Sequence, residues 1–369
     1  MNEHLILETQ NMENNTLGLA FIGCGRVANW QATFFEKGID GVDVVAVCDP
    51  VKEKAQTFAK RLNAEYSTSY EEVLARQDVQ VVSIMTESGR HYEHAKMALE
   101  AGKHVIVEKP PCMFAEQVLE LRDLARKEGL MFAPIFQNRY NPAMKVLKKA
   151  YEEGRFGKLV CVSVRLFWCR YQDYYEDGWH GTWKMDGGVI NQQAIHHVDA
   201  MHWVCGPVQE VMAIQGNRLN DLEAEDTTAA IVKFVDGALG TMEFTTAARP
   251  RDMDASLTII GEKGTVSIGG IALNEVAHWD FIDSKPEDAT IPEKYSVEVP
   301  NGYGYSHGPL LQDIITRINE GSIEAPINAE SVAETVRLIH SVYRSAEDGA
   351  SVEISSNLRS KRLGNRLKK

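Results

Sequence analysis

The chain has 369 residues, 44% of them hydrophobic, with 52 acidic against 39 basic side chains and a formal net charge of -13. That length and apolar content build two cores and exclude wholesale disorder, and the acidic balance excludes a nucleic-acid groove, which needs clustered Lys and Arg to neutralise phosphate. The six cysteines form no C-x-x-C pair or framework spacing and read as reduced, and no run approaches a membrane span, so a cytoplasmic protein is expected.

Residues 1–16 are polar and acidic and read as a flexible leader without a secretory pattern. Leu17 to Ile22 is a short apolar strand that runs into Gly23-Cys24-Gly25-Arg26-Val27-Ala28, a G-x-G-x-x-A turn. The first glycine makes the tight turn, the second lets backbone approach a pyrophosphate, and the small third residue lets helix pack on strand. The helix start then offers free N–H groups to phosphate. Such a turn is a weak signal alone, and context strengthens it: Val42 to Cys48 is a second strand that ends in Asp49. That carboxylate is expected to accept from ribose hydroxyls and to repel a 2′-phosphate, which favours NAD over NADP; the plainer reading is a turn residue before Pro50.

The alternation continues with a helix over 53–62, a strand near 64–67, a helix over 70–75 and a fourth strand at Gln80 to Met85, closed by the loop Thr86-Glu87-Ser88-Gly89. A helix from His91 to Ala101 leads to the fifth strand, Val105-Ile106-Val107, then a helix over 114–128 and a strand over 130–136. Six strands with intervening helices make a doubly wound parallel sheet. Glu108-Lys109-Pro110 ends the fifth strand, at the sheet edge where ligands bind and beside the switch point. Lys109 is therefore expected to reach cofactor and substrate together; its plainer reading is a surface lysine paired with Glu108. The expected dinucleotide contacts are Gly23, Gly25, Arg26, Val27, Asp49, Thr86, Ser88, His91, Glu108, Lys109 and Gln137.

Beyond Phe136 the texture becomes strand-rich, which implies an α+β second domain over 137–354 after a dinucleotide-binding domain over 17–136, with a basic solvated tail over 355–369. The joint Gln137-Asn138-Arg139-Tyr140-Asn141-Pro142 is dense in side chains that bind sugars or phosphates. A helix from Ala143 to Glu153 and a strand from Leu159 to Trp168 follow. Phe167, Trp168, Tyr171, Tyr174, Tyr175, Trp179 and Trp183 then form an aromatic concentration that either stacks on a ligand ring or packs beneath a long loop. If Gln192 to Trp203 is helical, His196 and Asp199 share a face and His197 points elsewhere. An oriented histidine beside a hydride acceptor suits alcohol oxidation. The histidines at 196, 197 and 202 lack the pairing of a zinc helix, so no metal is expected. Strands over 208–214, 227–235, 238–246, 255–260 and 265–268, with a hairpin turn at Gly261-Glu262-Lys263-Gly264, build a large, open, mostly antiparallel sheet. One face of it would associate, which implies a homo-oligomer, dimer or tetramer. Helices over 309–318 and 331–345 complete the chain. The expected substrate contacts are Arg139, Asn141, Arg170, Tyr175, Trp183, Lys184, Gln192, Asp199 and His307.

The G-x-G-x-x-A turn, Val107-Glu108-Lys109-Pro110, Trp183-Lys184, Gly187-Gly188 and His196-x-x-Asp199 together resemble the Gfo/Idh/MocA oxidoreductases, over Leu17 to about Ile354. Gln137 to Pro142, Gly181-Thr182-Trp183 and Gly187-Gly188 resemble its subgroup of sugar-nucleotide 3-dehydrogenases. The resemblance implies that Lys109 and His196 flank the reacting carbinol, that NAD is the cofactor, and that C3 of a UDP-N-acetylhexosamine or its uronate is oxidised before transamination, with a keto acid as a possible recycler of NADH. Many members carry Asp or Asn four residues before the His; here Gln192 stands there, and an amide is no ionised orienting group, so which residue tunes His196 is left open. So is the base, His196 or Lys109. The competing readings are a dehydrogenase of a free sugar or inositol and a non-catalytic NAD-binding regulator.

Overall fold

A computed structural model of the chain describes residues 16–365; the expected leader before Thr16 and the last four residues lie outside that range. The first part alternates strand and helix: β1 (Leu17–Ile22), α1 (Arg26–Lys37), β2 (Val42–Cys48), α2 (Lys52–Leu62), β3 (Glu65–Ser67), α3 (Tyr70–Leu74), β4 (Val81–Ile84), α4 (His91–Glu100), β5 (His104–Val107), α5 (Ala115–Glu128) and β6 (Phe132–Pro134). The six strands pair in parallel in the order β3-β2-β1-β4-β5-β6. β4 is buried along its whole length, because helices cover both faces and every residue must tolerate an apolar neighbour. The strand order reverses between β1 and β4, which opens the crevice at their carboxyl ends. β5, which delivers Lys109, lies one strand beyond that switch rather than beside it.

The second part comprises α6 (Pro142–Glu152), β7 (Leu159–Phe167), α7 (Val189–Gln192), α8 (Ile195–Cys205), β8 (Val208–Gly216), β9 (Thr227–Phe234), β10 (Leu239–Thr245), β11 (Asp254–Gly261), β12 (Gly264–Gly269), β13 (Glu275–Phe281), α9 (Ile291–Tyr295), α10 (His307–Asn319), α11 (Ala329–Asp348) and β14 (Val352–Glu353). Its eight strands run β13-β12-β11-β7-β10-β9-β8-β14, antiparallel except for the β7–β10 pair. Alternate residues such as Val162, Val164 and Leu166 turn inward beneath α8, giving one buried face and one open face. α11 packs on α5, α8 and β8, tying the two sheets together.

Three expectations are corrected. The helix expected to run unbroken from Gln192 is split, with α7 ending at Gln192 and α8 starting at Ile195. β13, α9 and β14 were not anticipated. The basic tail is solvated but not free over its described part: most of its side chains are exposed, while Leu363 is fully buried, Ser360 N–H donates to His340 Nδ1 at 3.1 Å and Gly364 N–H to the Trp183 carbonyl at 2.8 Å. Ser360 and Lys361 dock the segment on α11, bonding Glu347 at 2.6 and 2.7 Å, and Lys361 Nζ pairs with Asp348 at 2.6 Å. Among the described residues no helix is long and apolar enough to cross a membrane.

Candidate active site

Side chains alternate across the end of β5, so Glu108 and Lys109 leave it in opposite directions. Glu108 runs into the protein, where Gln31 Nε2 donates to its Oε1 at 2.7 Å and His307 Nε2 stands 3.2 Å away. Burial raises the proton affinity of this carboxyl, but His307, Lys109 and Gln31 together outweigh it and hold the group below the usual carboxylate range. Lys109 points the other way. Its Nζ donates to the Gln192 backbone oxygen at 2.7 Å and to the Gln192 side-chain oxygen. The first acceptor exists because the helix is broken: in a continuous helix that carbonyl would take the His196 N–H. Burial disfavours the Lys109 ammonium, against the opposing pull of Glu108 and Asp186.

Gln192 Nε2 donates in turn to Asp186 Oδ1 at 2.5 Å, and Asp186 Oδ2 accepts from Gly181 N–H at 2.9 Å. Burial pushes the Asp186 carboxyl well above its ordinary range. One helical turn beyond Gln192, His196 sits edge-on to Phe136 with Nε2 3.4 Å from Gln137 Nε2. His196 Nδ1 and Gln137 Oε1 are buried without a protein partner, as expected of groups that wait for a ligand. Burial, then the Lys109 charge, drives the His196 proton affinity well down, so the ring is neutral. Glu225 closes the floor: its Oε1 accepts from Ile190 N–H at 3.1 Å and Tyr343 OH at 3.2 Å, and burial raises its pKa to about 8. Gly188 is required there, since a Cβ would stand 2.1 Å from the Glu225 carbonyl oxygen.

The residues at the carboxyl end of β1 fit a dinucleotide. Gly23 has φ +94° and a Cβ on it would lie 2.7 Å from the Met85 carbonyl, so only glycine makes this turn. A Cβ on Gly25 meets nothing within 4 Å, which leaves bare backbone toward the crevice. α1 begins there with no side-chain cap and no acidic residue in its first turn, so the first N–H groups, including those of Arg26 and Val27, are available to a phosphate. Asp49 stands beside the turn, accepting from Cys24 N–H and Val51 N–H at 2.9 Å each. Across the crevice, the Arg26 guanidinium lies 4.4 Å over the Tyr174 ring, and Arg170 lies 5.0 Å over Trp168 and 5.7 Å over Tyr174. Tyr175 OH bonds Thr246 Oγ1 at 2.8 Å.

Other expected contacts are committed elsewhere. Arg139 and Asp199 are buried and grip each other, Nε to Oδ2 at 2.8 Å and Nη2 to Oδ1 at 2.6 Å, and Thr335 takes Asp199 as well, so neither is free for substrate and Asp199 does not orient His196. Asn141 is spent on the Ala272 and Leu273 carbonyls and on Ser306. Trp183 is buried against Tyr343, and Lys184 is exposed in a surface groove with Tyr92, Lys96 and Met113. His307 Nε2 braces Glu108 behind β5, while its Nδ1 is buried without a protein partner. His91 is buried between the Pro110 and Thr86 carbonyls at 2.7 and 2.9 Å, which makes it a clamp between two site loops and not a dinucleotide contact. Thr86 bonds His94, and Ser88 Oγ lies 3.5 Å from Asp186. Asp186 itself was missed: a carboxylate before a glycine pair reads as a turn residue, and no spacing signals that it turns inward. Among the described residues no group of three or more His, Cys, Asp or Glu side chains could hold a metal ion.

Residues 17–136 match the oxidoreductase family with an NAD-binding Rossmann fold, and residues 144–267 match the GFO/IDH/MocA C-terminal domain. The WlbA dehydrogenase of Chromobacterium violaceum, solved with NADH and UDP-GlcNAcA, superposes with a TM-score of 0.85 at 34% identity, over 92% of this chain and 96% of that one. Its Bordetella pertussis counterpart, solved with the same ligands, gives 0.86 at 31%, over 92% and 98%. The D-glucoside 3-dehydrogenase of Escherichia coli is 26% identical over 364 residues, 93% of this chain and 99% of that protein. This chain therefore belongs to the Gfo/Idh/MocA family of NAD-binding oxidoreductases.

Proposed function

We propose that the protein oxidises the C3 hydroxyl of a UDP-N-acetylhexosamine, or of its uronate, to the 3-keto sugar nucleotide, which prepares that carbon for transamination. The observation that carries this reading is the likeness, at 34% and 31% identity over nearly the whole of each chain, to two enzymes solved with UDP-GlcNAcA. Arg26 supports it, since its exposed guanidinium brings a cation to the mouth of the crevice where a diphosphate needs one, whereas Arg170 is paired with Asp252 at 3.0 Å. The 26% identity to a D-glucoside 3-dehydrogenase supports a second reading, the same chemistry on a free sugar.

NAD would supply the hydride acceptor. The chain's own residues handle the proton. His196, kept neutral and of low proton affinity by burial, is the poorer base. The reading therefore gives the hydroxyl proton to Lys109, whose charged form burial already disfavours, and has His196 hold the hydroxyl. NADH absorbance is followed with UDP-GlcNAcA and UDP-GlcNAc against D-glucosides and inositols. Turnover of the sugar nucleotides is expected; turnover of free sugars alone would transfer the case to the second reading. With the accepted substrate, Lys109→Met should lower kcat by about a hundredfold or more, and His196→Asn by less.

A further inference from the structure

Asp186 carries none of the roles above, yet it is only 1% exposed and bonded through both oxygens. Its partner Gln192 has two nearly isosteric ends of opposite character, a carbonyl that accepts and an amide that donates. One end faces Asp186 and the other faces Lys109. An ionised carboxylate only accepts, so it selects the amide end and leaves the carbonyl for the lysine.

We propose that Asp186 is a positioning residue for Lys109: it locks the Gln192 amide so that two oxygens hold the lysine nitrogen and its remaining tetrahedral vertex is aimed into the crevice. The direction of that vertex is the same in both protonation states. In the ammonium it is an N–H that donates to a substrate oxygen; in the amine the two other N–H groups stay on Gln192 and the vertex is the lone pair, ready for a hydroxyl proton. When Asp186 takes a proton, its O–H can donate to the Gln192 carbonyl, the amide turns over, and donor then meets donor at Lys109. The ionisable groups that act on Asp186 are Lys109 from the end of β5, Asp177, Tyr174 and Tyr175 from the loop after β7, Glu225 before β9 and Tyr343 from α11.

The inference rests on the reading of Lys109 as the proton-handling group and not on which sugar is used. Its test therefore begins without substrate. Trace acetylation of the native protein across pH, with the Lys109 peptide quantified by mass spectrometry, gives the midpoint at which the amine becomes reactive. Asp186→Asn removes a negative charge that favours the ammonium and frees the amide to flip, so the midpoint should move to lower pH. In turnover, kcat should fall about a hundredfold with NAD binding unchanged, and the acid limb of the kcat profile should move to lower pH with the labelling midpoint, since Lys109 must still lose its proton to act as base. Gln192→Met, which breaks the bridge but keeps Asp186, should give the same loss of kcat and, by taking an acceptor from the ammonium, the same downward shift of the limb, and it replaces Asp186→Asn if that variant fails to fold. An unmoved labelling midpoint, or either variant with wild-type kcat and an unmoved limb, overturns the assignment. A shifted midpoint with no turnover of any UDP-sugar sustains it and removes the proposed substrate instead.

Discussion

A buried carboxyl with one unpartnered oxygen belongs in its neutral form, and Glu225 is such a group: Oε2 is buried without a partner, and burial raises the pKa to about 8 from an ordinary 4.5. Between those values the folded protein binds a proton that the unfolded chain has released, so wild-type stability falls as pH rises through that window. Glu225→Gln keeps the shape without the charge. Its stability relative to wild type should therefore grow from about pH 4.5 upward, by about 1.4 kcal/mol per unit at most, and level off above the folded pKa. Urea midpoints measured at intervals of pH check this; a difference that stays constant would show that Glu225 is ionised throughout. The buried His197, whose pKa burial lowers to about 3, has the opposite sign and loses stability as pH falls below 6.5, but it cancels in the comparison of the two proteins. At this scale the legible residues were those at the ends of regular elements. Lys109 closes an apolar strand, so its address follows from the strand. The mutual grip of Arg139 and Asp199, 60 residues apart, was not legible, because spacing reveals neighbours only within one element.

Elements rather than residues explain why the site is rigid. The break between α7 and α8 frees the Gln192 carbonyl for Lys109, and the Arg139–Asp199 pair pins α8 to the turn Gln137–Tyr140 and, through Ser331, to α11. Both ions are buried, so removing one leaves the other uncompensated. Arg139→Met should cost about 3–5 kcal/mol of stability, read as a lower denaturation midpoint. Adding Asp199→Leu should recover part of that loss, since the stranded charge goes too; no recovery would mean that Arg139 acts through its packing on Trp203, whose ring it covers at 5.6 Å. The parallel sheet was legible nearly to the residue, because strands buried on both faces are continuous apolar runs between glycines. β13 and β14 were not. β13 lies at the sheet margin with five of its seven residues exposed or half-exposed and ends in an acidic loop, so no apolar alternation marks it. β14 has two residues and exists only through its pairing with β8.

On the scale of the whole molecule, the outer face of the eight-stranded sheet is the feature the single chain leaves unresolved. Met212, Ile231, Thr241, Ser163, Thr258 and Ser267 lie in one row across β8, β9, β10, β7, β11 and β12. The hydroxyls of that row bond sideways to one another, Thr241 to Ser163 at 3.2 Å and Thr258 with Ser267 at 2.8 Å, so they ask little of water and keep the surface flat. Beside them Ile214 is 71% exposed, Ile231 59% and Leu239 60%. A flat sheet bearing isolated large aliphatic groups among satisfied hydroxyls suits a second sheet laid face to face, and we propose that two copies of this chain associate there, alone or within a tetramer. Light scattering of the purified protein should then give the mass of two or four chains. Ile231→Glu with Leu239→Glu points two charges out of that face without touching the core, so the subunit fold should persist by circular dichroism while the mass falls toward one chain. An unchanged mass in the double variant would move the interface off this sheet. Because the crevice is lined from the opposite face, through α8 and the loop after β7, NAD binding by the dissociated subunit should survive, and its loss would show instead that association holds the site together.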